Sequence, residues 1–273
     1  MKAANARVVI TGAAGGIGAA SAEALLKAGA AVMLVGRSAS RLEELASQLG
    51  RSTGAHPARV ACRVADLTQP KDLDSLSAQA AVWGCNVLVH NAGLPSFGRL
   101  QDQTPEQMTA ALQINLLAPM LLTRCLLPHL LAQQAAQVIC VGSALGAIGL
   151  PGFSVYSAGK FGLRGFSQAL RRELAETPVA VQYLGPRTTK TAFNSEAVEA
   201  YNRATGTASD CPEQVAAELV ALLESGAGER FVGFPEKLAA RINGLAPALL
   251  DGSFKRHSRH LQATGHVRPV LSS

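Results

Sequence analysis

The chain has 273 residues, 48% hydrophobic and only 16% charged, enough for a buried core and too apolar for disorder over most of its length. Its net charge of +6 is not gathered into a basic stripe with interleaved aromatics, which make up 4% of the chain, and this argues against a nucleic-acid binder. Five scattered cysteines (Cys62, Cys85, Cys125, Cys140, Cys211) show neither C-x-x-C pairs nor metal-ligand spacing, so no metal is expected and the thiols read as small apolar fillers in a reducing, cytoplasmic compartment.

Residues 7–11, RVVIT, open a first strand so early that no signal peptide is expected before it. The strand runs into TGAAGGIGAASAEALLKAG. Gly12, Gly16 and Gly18, with Ala14 and Ile17 between them, fit a strand-to-helix turn where side chains would collide with a pyrophosphate and free N–H groups attract it. The second strand, 31–36, ends in VGRSAS, with Arg37 and Ser38 after Gly36. An acid at that place binds the adenosine ribose hydroxyls, whereas a 2′-phosphate repels an acid and attracts a guanidinium. The expected cofactor is therefore NADP(H) in preference to NAD(H); the bland alternative is that Arg37 only snorkels at the rim.

Further strands are expected at 59–64, 87–90, 137–142, 179–184 and 229–232, alternating with helical segments such as 21–30, 41–50 and 211–226. Strands of continuous hydrophobicity need cover on both faces, which crossover helices give to a parallel sheet. The expected fold is α/β, a doubly wound Rossmann-type parallel sheet of about seven strands flanked by helices. The most apolar window, 116–132, is interrupted by Pro119, Arg124 and Pro128 and reads as a packed helix rather than a membrane span. Residues 156–160 read YSAGK, placing Tyr156 and Lys160 on one helical face, a pair that alone arises often by chance.

TGAAGGIG, the acid in VADL, HNAG, the asparagine in QINLL, the serine in VGSALG, and YSAGK together resemble, in order and spacing, the motifs of single-domain short-chain dehydrogenase/reductases over residues 5–235. The resemblance implies that Asp66 and Leu67 lie beside the adenine, and that Asn91, Ala92 and Gly93 form a turn near the middle of the cofactor. It also implies a catalytic tetrad of Asn115, Ser143, Tyr156 and Lys160. In that scheme Tyr156 is the proton donor, and Lys160 lowers its pKa and holds the nicotinamide ribose. Ser143 orients the substrate oxygen, and Asn115 holds a water that relays protons to Lys160. The chain departs from the family pattern in YLGPRTTKT, where Leu184 replaces a proline and Arg187 stands where valine is common. Gly185 and Thr189 are expected to keep the contact with the nicotinamide carboxamide, with Thr191 as the alternative. His90 replaces a more frequent asparagine and reads as a satisfied strand-end histidine.

Residues 236–273 form an expected C-terminal helical extension to the domain 1–235. Leu238, Ile242, Leu245 and Leu249 make a stripe beside Lys237 and Arg241, read first as packing on its own domain. A lid over the substrate, a subunit contact, and attachment to an anionic membrane through KRHSRH are lesser readings. The expected function is interconversion of a ketone or aldehyde and an alcohol on a lipophilic small molecule. A 3-oxoacyl thioester (acyl carrier) reductase and a silent dinucleotide-binding regulator are the alternatives. A homodimer or homotetramer, through the helices bearing Asn115 and Tyr156, is implied by the resemblance.

Overall fold

A computed structural model describes residues 1–233 and 236–263. Strands β1 (Arg7–Thr11), β2 (Ala31–Gly36), β3 (Val60–Val64), β4 (Val87–His90), β5 (Ala136–Val141), β6 (Val179–Gly185) and β7 (Glu229–Phe231) form one sheet in the order β3-β2-β1-β4-β5-β6-β7. Every pairing is parallel, as the uniformly apolar strands require. Successive β1 residues go to opposite layers. Val8 and Ile10 pack with Leu25, Leu42 and Leu219 of α1 (Gly16–Lys27), α2 (Ala39–Thr53) and α8 (Pro212–Ser225). Val9 packs on the other face with Leu73, Leu126 and Leu163 of α3 (Pro70–Val82), α5 (Ala118–Leu131) and α6 (Ser154–Glu173). The remaining helices are α4 (Pro105–Leu112), α7 (Glu196–Thr205), α9 (Glu236–Leu245), α10 (Ala248–Asp251) and α11 (Lys255–Ala263).

The element ends follow local chemistry. Ser38 caps α2 by accepting from the Arg41 N–H, and Gly54 closes it in the left-handed region at φ 63°. Thr104 and Gln107 form a capping box on α4. Five expected strand boundaries move by one residue; β6, expected at 179–184, runs on to Gly185. The strand expected at 59–64 starts at Val60, because Arg59 closes a 3₁₀ turn and its guanidinium donates to the Leu26 and Ala30 carbonyls at 2.6 Å. β5 starts and ends one residue before the expected 137–142, and β7 stops at Phe231, one residue short of 232. α7 lies in a stretch where no element is expected; Ser195 caps its start and Gly206 ends it.

Among the described residues one helical run, Pro105–Leu131, is long and apolar enough to cross a membrane by length and composition alone. Its Leu122, Leu126 and Leu130 are fully buried in the core beneath the sheet, which agrees with the packed-helix reading. Of the apolar stripe expected in the extension, Leu245 is 89% exposed and so does not pack on the domain. The side chains of Leu238 and Leu249, the boundary at 235/236 and residues 264–273 lie outside the described residues. The extension does dock elsewhere: Asn243 of α9 donates to the Ala147 carbonyl at 2.8 Å, Phe254 packs on Ala147 and Ile148, and Arg256 of α11 donates to the Ala204 carbonyl of α7 at 2.6 Å.

Candidate active site

Parallel sheets bind ligands at the carboxyl ends of their strands, in the crevice where strand order reverses. Here that crevice lies between β1 and β4. Gly12 sits at φ 63°, and a Cβ there would lie 2.7 Å from Ala92 Cα; one on Gly18 would strike the Gly12 carbonyl, and one on Gly16 would come within 2.5 Å of Thr191 Cγ2. Gly15 is the N-cap of α1 and brings no capping side chain, so the first-turn N–H groups stay open to an anion. Asn91 fixes this turn by donating to the Thr11 and Gly12 carbonyls at 3.0 and 3.1 Å, while the N–H groups of Asn91 and Ala92 both donate to Thr11 Oγ1. Ala14 and Ile17 lie within the same turn, half-buried.

At the end of β2, Arg37 is exposed and Ser38 is half-buried. Arg41, which the sequence reading does not single out, reaches back to donate to the Ala14 carbonyl at 3.4 Å. Its signal is the one-turn spacing from Arg37. Asp66 follows β3. The backbone N–H and hydroxyl of Thr68 hold its carboxylate below the usual range, and Arg37 adds to the effect. Leu67 lies beside it, half-buried. The residues present fit a phosphate-bearing dinucleotide: a cradle that Cβ atoms would fill, an open helix terminus, and two guanidinium groups with no acid at the end of β2.

The chemical end of the cleft arises because β4 is short. Gln137 N–H bonds the Asn86 carbonyl on the β4 side, while Gly142 and Ala144 bond β6 and the segment after it. By strand alternation, the backbone groups of residues 141 and 143 face the β4 side, but β4 ends at His90, which pairs with Cys140. Two side chains take over the orphaned groups. Lys160 Nζ donates to the Val141 carbonyl at 3.2 Å. The Tyr183 hydroxyl accepts from Ser143 N–H at 3.0 Å and donates to the Ser143 carbonyl at 2.8 Å. Gly142 and Gly146 are needed here, since a Cβ on either would overlap the Tyr183 hydroxyl. Tyr183 is fully buried. The sequence reading treats it only as a strand residue; the glycines on both sides of Ser143 are the signal that could have found it.

The Ser143 hydroxyl accepts from Leu145 N–H at 3.0 Å and stands near enough to the Tyr156 phenol to lower its pKa. Lys160 Nζ stands 5.7 Å from the Tyr156 ring centre. Lys160 is not seen to lower the phenol's pKa. Burial pushes Tyr156 up to about 12, with Ser143 opposing the rise, and burial pushes Lys160 down to about 8. Desolvation of both charged forms outweighs their attraction.

Asn115 sits fully buried in a π-helical turn, Gln113–Leu117, between α4 and α5. Such turns recur at functional positions. Its amide donates to the Leu94 carbonyl at 2.8 Å and accepts from Leu94 N–H at 3.1 Å. Both ends of the side chain are thus engaged in bracing the segment at Gly93. His90 donates through Nε2 to Thr123 Oγ1, whose own hydrogen goes to Pro119, and burial pushes its pKa down to about 3. It is the satisfied strand-end group expected.

After β6, the Gly185 carbonyl accepts from Val232 N–H. The Thr189 hydroxyl donates to the Arg187 carbonyl, and Thr189 bridges Asp210. Thr191, the alternative, is the one packed on Gly16. Arg187 donates through Nε and Nη2 to Asp210 Oδ1 at 2.8 and 2.5 Å. Together with the backbone bonds of Thr188 and Lys190 to Asp210, this closes the base of the excursion that carries α7.

A doubly wound parallel sheet, a glycine cradle at its switch point, and a serine, tyrosine and lysine converging at the next strand ends define a dinucleotide-dependent oxidoreductase. The chain belongs to the short-chain dehydrogenase family, whose model matches residues 6–202, and it is an NAD(P)-dependent oxidoreductase of that family. It is 31% identical over 275 residues to a dehydrogenase/reductase SDR family member 7B of Bos taurus, covering 96% of this chain and 84% of the relative. Among solved structures, a short-chain dehydrogenase from Sphingobium yanoikuyae in complex with NADPH is 26% identical at a TM-score of 0.75, covering 98% of both chains. A short-chain dehydrogenase/reductase from Burkholderia phymatum in complex with NAD shares the fold at a TM-score of 0.80 and 20% identity, covering 91% of this chain and 96% of that one.

Proposed function

We propose that the protein interconverts a ketone or aldehyde and the corresponding alcohol, with NADP(H) as its preferred cofactor and NAD(H) as a poorer one, on a lipophilic small molecule in the cytoplasm. The observation that carries this reading is the convergence of Ser143, Tyr156 and Lys160 at the end of the glycine-lined cleft, with Lys160 Nζ 5.7 Å from the Tyr156 ring centre and Ser143 near enough to lower the phenol's pKa. The dinucleotide, when bound, supplies the hydride for reduction or accepts it for oxidation. Ser143 polarises the substrate oxygen, and Tyr156, protonated at neutral pH with a pKa of about 12, gives that oxygen its proton. The Lys160 ammonium stands ready to reprotonate the phenolate and would hold the ribose on its cleft side. Arg37 and Arg41 favour a 2′-phosphate, with no acid at the end of β2 to repel it; the NADPH held by the Sphingobium yanoikuyae relative agrees with this choice.

A self-associated state is part of the proposal. Leu112, Leu117, Met120 and Leu131 of the α4–α5 run and Phe161 of α6 are large apolar residues left exposed, on the helices where a homodimer or homotetramer contact is expected.

Replacing Tyr156 by Phe removes only the hydroxyl. With NADPH oxidation followed at 340 nm across a carbonyl panel, kcat should fall about 10²-fold or more, while the NADPH dissociation constant stays near wild type. Unchanged turnover in Tyr156→Phe would refute the assignment.

A further inference from the structure

The chain is poor in aromatics, with eight Phe, three Tyr and one Trp, yet five of them meet at one place. Phe97 lies 4.9 Å from Phe153 and 5.1 Å from Tyr201, ring centre to ring centre; Phe153 lies 5.9 Å from Tyr201 and 6.4 Å from Tyr156; Phe193 lies 6.1 Å from Tyr156. None of the five belongs to the two clusters that pack the faces of the sheet. They come from the segment after β4, the entry to α6, and the excursion after β6, and they converge on the tyrosine assigned as proton donor.

The wall is built to hold its shape. Gly98 N–H donates to the Gly152 carbonyl at 2.9 Å, which ties two of the three segments together. A Cβ on Gly152 would come 2.8 Å from Phe97, so the glycine makes room for that ring. Tyr201 is buried, its hydroxyl donates to the Pro151 carbonyl at 2.9 Å, and its outer side meets His257 and His260 of α11. Phe97 and Tyr201 therefore buttress Phe153. Phe193 is 37% exposed, and its ring edge lies 3.6 Å from the Cβ position of Gly93, over the strip between Asn115 and Lys160. Phe153 and Tyr156, three apart at the start of α6, present one face.

We infer that Phe153 and Phe193 form a ring-recognition subsite, so that the substrate is a neutral, planar cyclic or aryl ketone rather than a straight-chain or phosphate-bearing acyl compound. The inference rests on the carbonyl-reductase reading and deepens it. Aromatic side chains gain from ring faces and edges beyond the area they bury, a gain that a saturated chain cannot return. The wall carries no charged side chain, and its one polar atom besides the Tyr156 hydroxyl is spent on Pro151. The cation nearest the rings, Lys160, lies at the Tyr156 end of the wall, 5.7 Å from that ring centre, and is bonded to the Val141 carbonyl, so the Phe97–Phe153–Tyr201 part offers a carrier-linked phosphate no charge.

The test compares 1-tetralone with 2-decanone, two ketones of ten carbons, the second being the more hydrophobic. Dissociation constants are measured by quenching of nicotinamide fluorescence in the complex of Tyr156→Phe with NADPH, where no turnover is needed. The ring ketone should bind about tenfold more tightly. Adding Phe193→Ala or Phe153→Leu should abolish that preference, with NADPH affinity unchanged as the check that the cleft is intact. Equal binding of the two ketones, or a preference that survives both substitutions, overturns the subsite. Selective binding without NADPH oxidation by the wild-type enzyme keeps the subsite and overturns the oxidoreductase reading.

Discussion

Tyr183→Phe removes one oxygen from a buried ring and leaves the packing against Gly142 and Gly146 in place. The lost hydroxyl makes two hydrogen bonds, at 3.0 and 2.8 Å, to the N–H and carbonyl of Ser143. Each is worth about 1 kcal/mol net, and a backbone group left unpaired out of water adds to the loss, so stability should fall by about 2–3 kcal/mol. The catalytic consequence is separate. Gly142 and Ala144 stay bonded to the β6 side, but the Ser143 peptide becomes free to rotate, and the Ser143 hydroxyl loses its fixed aim at Tyr156. A misplacement well below 1 Å lowers kcat by about tenfold. Urea melts give the first quantity. Steady-state kinetics with saturating NADPH give the second, with the KM for NADPH expected to stay constant because Tyr183 does not touch the glycine cradle. A variant that loses the expected stability but keeps kcat within about twofold would show that Ser143 does not need Tyr183 to be positioned, and the reasoning from the short β4 would fail.

Burial sets the Lys160 pKa at about 8, so kcat/KM for carbonyl reduction should fall above about pH 8 as the ammonium is lost; Lys160→Arg, which stays charged, should move that limb to higher pH. Because this pKa lies below the ordinary 10.5, the unfolded chain holds more protons at this group between the two values, and the contribution of Lys160 to folding stability should rise with pH from about 8 to 10.5, read as the difference between urea melts of wild type and Lys160→Met. Arg37→Asp should raise the dissociation constant for NADPH at least tenfold more than that for NADH, measured by titration; equal losses would remove the 2′-phosphate argument. Asp210→Asn removes a charge that is almost completely buried and paired with Arg187, and should destabilise the fold by about 3 kcal/mol while raising the KM for substrate more than that for NADPH; a variant as stable as wild type would show that the pair does not hold the excursion.

Much of the scaffold was legible because its signals are local. Glycine turns, continuous apolar strands and helical spacing place the sheet to within a residue, and the order of the motifs points to the cleft. The less legible parts depend on neighbours distant in sequence. Tyr183 reaches Ser143 across forty positions, and nothing in VAVQYLG marks that residue as more than a strand tyrosine. Arg187 stands out as a substitution, but its partner Asp210 lies beyond a helix that the Thr- and Ala-rich composition conceals. Burial inverts the Tyr156–Lys160 electrostatics that proximity suggests. The Phe residues of the aromatic wall are spread over the chain from position 97 to 193, and only the fold brings them together.

The clamp at Asp210 also bears on how such a chain changes over time. The segment between Thr191 and Ser209 leaves and rejoins the body at one point, so its ends are already joined, and each doubling of its length would cost only about 0.6 kcal/mol in closure entropy. It is in effect a cassette. Insertions or exchanges within it can redraw what the enzyme admits, while the proton-transfer machinery beneath is inherited intact.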